Sequence, residues 1–130
     1  MILLDTHVIV WMLTAAERIS SRAREAIVQA RMAGERIGYS PVSLYEIAYA
    51  ARRNRLLLNI PAKDFIAAAS ARLDLVPVTA EIAILAAELP ERFHGDPMDR
   101  MIAATAVTLD CTLITRDEQI RGANVCKTLW

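Results

Sequence analysis

The sequence predicts an α/β three-layer sandwich built on a central parallel sheet of four to five strands. Short apolar runs without polar interruption alternate with longer stretches of helical periodicity. Uninterrupted apolar strands belong to parallel sheets covered on both faces. Strand, helix and strand in alternation is the pattern of a layered α/β domain. Composition agrees, because 22 Ala and only four Gly favour helices over hairpins.

The elements follow in order. Buried strands are expected at residues 2–4, 36–39, 75–78, 111–114 and 124–127. Asp5 stands where it could cap a first helix. Ser20 or Ser21 can cap a second running to about residue 33, closed by Gly34. Ser40-Pro41 reads as N-cap and first turn of a helix through about residue 53. A further helix is expected over 61–72. Thr79 can cap one over 80–89 that stops before Pro90. Asp96-Pro97 opens another through about residue 109. Thr115 to Glu118 fits the capping-box pattern of a final short helix. With no repeat, linker or low-complexity stretch, residues 1–130 are expected to form a single domain.

Composition limits function. Hydrophobic residues make up 55% and charged residues 23% of the 130 residues, which excludes intrinsic disorder. Fifteen Lys+Arg balance fifteen Asp+Glu, so no net basic field marks a nucleic-acid binder, although a local basic stripe is still allowed. Thirteen of those cations are Arg, the better bidentate phosphate ligand. Cys111 and Cys126 are not spaced like metal ligands and read as reduced thiols of a cytoplasmic protein. No apolar run approaches the roughly 20 residues of a membrane span, so no membrane partner is expected.

In an open parallel sheet, ligands bind beyond the carboxyl ends of the strands, where strand order reverses. Asp5 directly follows the first strand, and Thr115 and Asp117 follow the fourth. Glu46 lies about one turn past Pro41, while Asp96 and Asp99, three residues apart, share one helix face. Each acid also has a structural reading. Asp96 suits an N-cap with Asp99 as its capping-box partner, Asp117 would sit at the second helical position, and Glu46 could be solvated. Four or five like charges at one strand edge would repel, however, and that asks for a cation. All-oxygen ligands favour Mg²⁺ or Mn²⁺.

At these residues the chain resembles the PIN-domain ribonuclease toxins of VapBC-type toxin–antitoxin modules, over its whole length. LLDTHVIVW carries the first motif, with Asp5 and Thr6. SPVSLYEIA carries Glu46. GDPMDRMIAATA carries Asp99 in a D-x-x-I-A frame, with Asp96 as an extra acid, and LITRDEQI carries Thr115 and Asp117. No single motif is specific, but four in this order and at suitable spacing are a strong signal.

The resemblance implies Mg²⁺-dependent hydrolysis of phosphodiesters in single-stranded or structured RNA, inhibition by a cognate antitoxin, and homodimers. It assigns Asp5, Glu46, Asp99 and Asp117 to metal binding and catalysis. Thr6 and Thr115 could orient ligands, touch the scissile phosphate, or cap helices. Arg52, Arg53 and Arg55 form the densest basic run, and Arg100 and Arg116 stand beside motif acids; each could steer RNA or form a surface ion pair. Trp11, Tyr45 and Tyr49 could stack a base or belong to core and interface.

Three other readings compete with this one. A DNA or flap nuclease would use the same acids but fits the small size less well. A receiver-like phosphoacceptor needs a Lys after a late strand, which Lys63 and Lys127 do not supply. A PIN-fold binding module without chemistry would have no reason to keep four acids together.

Overall fold

The computed structural model describes residues 1–93 and 95–130. Its order is β1 (Ile2–Leu4), α1 (Thr6–Thr14), a 3₁₀ turn (Ala16–Arg18), α2 (Ser21–Met32), β2 (Ile37–Tyr39), α3 (Pro41–Arg52) and α4 (Ala62–Ser70). It continues with β3 (Asp74–Leu75), α5 (Ala80–Glu88), α6 (Pro97–Thr108), β4 (Thr112–Ile114), α7 (Glu118–Ala123) and β5 (Thr128–Leu129). All strand pairs are parallel, in the order β3-β2-β1-β4-β5. The chain winds from the central β1 out to β3, then crosses back to add β4 and β5. Strand order therefore reverses between β1 and β4.

Strand alternation explains the two cores. Ile2 and Leu4 join Ile37, Tyr39 and Ile114 under α1 to α4, where Val8, Ile9, Ile27, Ile47 and Phe65 cover them. Leu3 and Leu113 point to the opposite face, against Ile102, Ala103 and Ala106 of α6 and Ile120 of α7. A one-residue slip of β1 would exchange these sets, so burial on both faces fixes its register. At Gly38 in β2 a Cβ would lie 2.9 Å from the Val76 side chain, which leaves room only for glycine.

Helix α5 is held mainly by α6. Ile82 and Ala86 pack on Ala104, and Arg100 closes the end of α5. Its Nε donates to the Ala86 carbonyl at 2.8 Å, Nη1 to that of Phe93 at 3.2 Å, and Nη2 to those of Ala87 and Leu89. The Ala86, Ala87 and Leu89 carbonyls belong to the helix end, which leaves them without intrahelical partners, and Phe93 lies in the turn that follows.

Several boundaries move from the sequence expectation. Strand β3 ends at Leu75, not 78, because Pro77 has no N–H for the ladder. Strand β5 lies at Thr128–Leu129, not 124–127. Asn124 takes the left-handed conformation, φ 54°, that ends α7 and cannot extend into a strand there. Asp117, not Thr115, caps α7: its Oδ1 accepts from the N–H groups of Gln119 and Ile120, both at 2.8 Å. Ser40 and Pro41 take the expected N-cap and first positions, yet the Ser40 hydroxyl makes no capping bond.

Candidate active site

The reversal of strand order is where the acids meet. The Asp5 backbone N–H donates to the Ile114 carbonyl at 3.1 Å, tying the end of β1 to the end of β4. Asp5 caps α1 and is only 3% exposed. Its Oδ1 accepts from Thr6 N–H and its Oδ2 from the Thr115 hydroxyl, both at 2.7 Å. The Thr115 hydroxyl in turn accepts from Asp117 N–H at 3.0 Å. One hydroxyl thus couples the acid of β1 to the acid after β4.

A second threonine does the same across helices. The Thr6 hydroxyl donates to Glu46 Oε1 at 2.6 Å and lies 2.9 Å from Ser43 Oγ. Thr6 and Thr115 are both buried, and both hold carboxylates in place. Each therefore orients a carboxylate by a hydroxyl hydrogen bond. Ser43 escaped the sequence reading, although its place three residues before Glu46 puts it on the same face of α3.

On α6, Asp96 is the exposed N-cap, its Oδ1 accepting from Met98 and Asp99 N–H at 2.9 and 3.4 Å. Asp99 is half-buried. Burial raises its carboxyl from 3.8 to about 8, with further push from Asp5, Asp96, Glu46 and Asp117. Burial likewise raises Glu46, against the pull of Thr6, and the charges of Asp5 and Asp96 add to it. It raises Asp5 too, partly offset by the Thr115 hydrogen bond and His7, while Asp117 pushes it further. Acids from four separate places in the chain therefore sense one another. Of the α6 pair, Asp99 is the one embedded among the rest.

The basic residues separate. Arg100 is occupied with the carbonyls that end α5, which corrects its expected role in positioning substrate. Arg53 lies 5.3 Å over the Tyr49 ring, and Arg52 lines a groove with Leu56 and Leu57. Neither lines the cleft that holds Thr6 and Glu46; from that basic run only Arg55 does. Trp11 is 6% exposed, with Arg18 and Arg116 over its ring, so it is covered and not an open stacking surface.

The sequence profile of the PIN domain matches residues 2–124. The chain belongs to the PIN-domain family. A similar protein is Ribonuclease VapC22 of Mycobacterium tuberculosis, 33% identical over 121 residues, covering 93% of this chain and 90% of that protein. The fold resembles that of VapBC2 from Rickettsia felis bound to a DNA fragment from their promoter. There the TM-score is 0.75 at 16% identity, over 99% of this chain and 98% of the other. It also resembles VapBC-5, of the VapBC family of toxin–antitoxin systems, from Mycobacterium tuberculosis. That match has TM-score 0.64 at 18% identity, over 98% of this chain and 96% of the other.

The donor set of this PIN domain fits a hard divalent cation. Every candidate ligand is a carboxylate oxygen, and their mutual repulsion is what a dication would relieve. Glu46 Oε2 and Asp117 Oδ2 have no hydrogen-bond donor among the described residues. Ser40, beside Asp5 by the register of β1 and β2, keeps a buried hydroxyl without a partner. Among the described residues no three such groups form a ready-made metal cage. No helix among them is long and apolar enough to cross a membrane.

Proposed function

We propose that this PIN domain is a Mg²⁺-dependent endoribonuclease of single-stranded RNA, with Mn²⁺ able to substitute. We further infer that it is the toxin of a toxin–antitoxin module, a cytoplasmic homodimer restrained by an antitoxin protein. The name of the similar ribonuclease and the VapBC neighbours support the class of activity and of partner. The observation that carries the reading is the convergence of Asp5, Glu46, Asp99 and Asp117 at the reversal of strand order, with Asp99 raised to about 8 by burial and its fellow acids.

Asp5, Asp99, Asp117 and Glu46 would hold the ion, Asp96 standing beside them as a further acid. Bound there, Mg²⁺ would supply Lewis-acid polarisation of the phosphate and a water acidified towards hydroxide. The chain contributes placement. Thr115 fixes the rotamer of Asp5, Thr6 fixes that of Glu46, and the cap on α7 fixes Asp117. Pre-orientation of this kind avoids reorganising charged groups during reaction.

The test is cleavage of a mixed-sequence single-stranded RNA pool, with EDTA and Asp99→Asn as controls. Metal-dependent cleavage that falls more than about a hundredfold in Asp99→Asn is expected. Intact RNA with metal-loaded, antitoxin-free protein would contradict the reading.

A further inference from the structure

Beside the acids lies a cluster of basic and aromatic side chains, three of them carried within the motif segments and Arg18 outside them. His7 and Trp11 are one turn apart on α1, their rings 5.7 Å between centroids. The Arg18 guanidinium, from the 3₁₀ turn, sits 4.5 Å from the Trp11 ring centroid, and that of Arg116, from the loop after β4, sits 5.7 Å from it. Both distances are within cation–π range. Two guanidiniums therefore share one indole, although like charges repel. Both side chains are exposed, and neither forms an ion pair among the described residues. Surface arginines beside an acidic site would ordinarily turn to its carboxylates; these are held on a ring instead.

The cluster opens onto the acids. His7, Trp11, Arg18, Arg116 and Asp117 line a cleft of about 310 Å³. A neighbouring cleft of about 340 Å³ holds Thr6, Glu46 and Arg55, and shares His7, Trp11 and Arg18 with the first. The two make one groove, acidic on one side and basic on the other. We propose that Arg18 and Arg116, both braced on Trp11, clamp the phosphate of an RNA nucleotide next to the one cleaved at the acidic site. This rests on the ribonuclease reading. Guanidinium forks match phosphate oxygens bidentately, and the acids alone would repel the RNA backbone. A groove shared with the scissile site favours RNA over an acidic peptide. Trp11 is a positioning residue here, and Arg18 and Arg116 are the binding residues.

The experiment measures anisotropy of a fluorescein-labelled, mixed-sequence single-stranded RNA bound to Asp99→Asn protein, so that the RNA stays intact. Arg18→Ala and Arg116→Ala are added singly and together across a salt series, and the same substitutions are assayed for cleavage with Asp99 intact. The double variant should bind about tenfold more weakly, and the slope of log K against log salt should become shallower by about 0.7 per arginine removed. KM should rise while kcat holds, and Lys at either position should restore the slope that Ala loses. A purely structural role would move melting temperature but not salt slope. Cleavage by the parent with slope and KM unchanged in the double variant would overturn the clamp and leave the ribonuclease reading standing. Binding through both arginines without cleavage under any metal would overturn the ribonuclease reading, and with it the clamp's place beside a scissile phosphate, leaving an RNA-binding groove. A parent that neither binds nor cleaves RNA would overturn both.

Discussion

The two edges of the sheet handle negative charge in opposite ways. At the amino edge, where the strands begin, acids are paired. Glu35 accepts from the N-terminal ammonium at 3.0 Å, Asp74 lies 3.9 Å from Arg36, and Asp110 accepts from Lys127 at 2.7 Å. The Lys127 hydrogen bond and charge hold the Asp110 carboxyl below its usual value. At the carboxyl edge Asp5 and Glu46 receive threonine hydroxyls instead of cations, and burial and mutual repulsion push Asp5, Glu46 and Asp99 upward. A chain with fifteen cations for fifteen acids could neutralise both edges. The ion pairs of Glu35, Asp74 and Asp110 all lie at the amino edge. Raised carboxyls are a structural cost, and their concentration at the reversal of strand order is the pattern of a functional edge.

Substitutions that cross the two edges would break the comparison most severely. Asp99→Asn at the carboxyl edge should abolish metal-dependent cleavage, whereas Asp110→Asn at the amino edge should leave cleavage at the wild-type rate in the same assay. Whatever stability the Asp110 pair contributes is present at neutral pH and lost on acidification, because its folded-state value is the lower one.

The next effect concerns the threonines. Thr115→Val keeps the shape but removes the only side-chain donor to Asp5 Oδ2 among the described residues. It should lower kcat about tenfold to a hundredfold, as loss of a ligand-orienting hydrogen bond does. Steady-state kinetics at saturating metal would check this. An unchanged kcat would mean that Asp5 needs no fixed orientation.

The smallest effect is on stability. Asp99 ionises near 3.8 when unfolded and at about 8 when folded. Between those values the folded state binds more protons, so metal-free protein should lose stability as pH rises from about 4 to 8. Asp99→Asn should flatten that fall, measured as melting temperature in EDTA. Added Mg²⁺ should raise the melting temperature most at the alkaline end, where the carboxylates are charged.

Much of this architecture is legible along the chain because it is written in local patterns. Uninterrupted strands such as Ile2–Leu4, the N-cap at Asp96 and Gly34 at φ 67° are all read from near neighbours. The motif acids are legible for the same reason, lying just past a strand, at the start of a helix or, for Glu46, about a turn into one. What pairs them is not. Thr115 meets Asp5 across 110 residues, and Thr6 meets Glu46 across 40. Arg100 looks like a partner for adjacent acids, yet turns back to the end of α5. Arg18 sits in a charged 3₁₀ turn without a motif, and only folding brings it over Trp11. Asn124, by its left-handed conformation, and Pro77, by its missing N–H, moved strand ends in ways that apolar patterning does not register.

The most direct test of one cation site shared by these acids is calorimetric titration of Mn²⁺ into wild-type and Asp99→Asn protein at pH 7, in buffers of different ionisation enthalpy. Asp99, raised to about 8, holds a proton at that pH. Wild-type binding should therefore release a proton and show a buffer-dependent enthalpy. Asp99→Asn should bind more weakly and release less. Absence of Mn²⁺ binding, or equal affinity and equal proton release in the two proteins, would contradict the account.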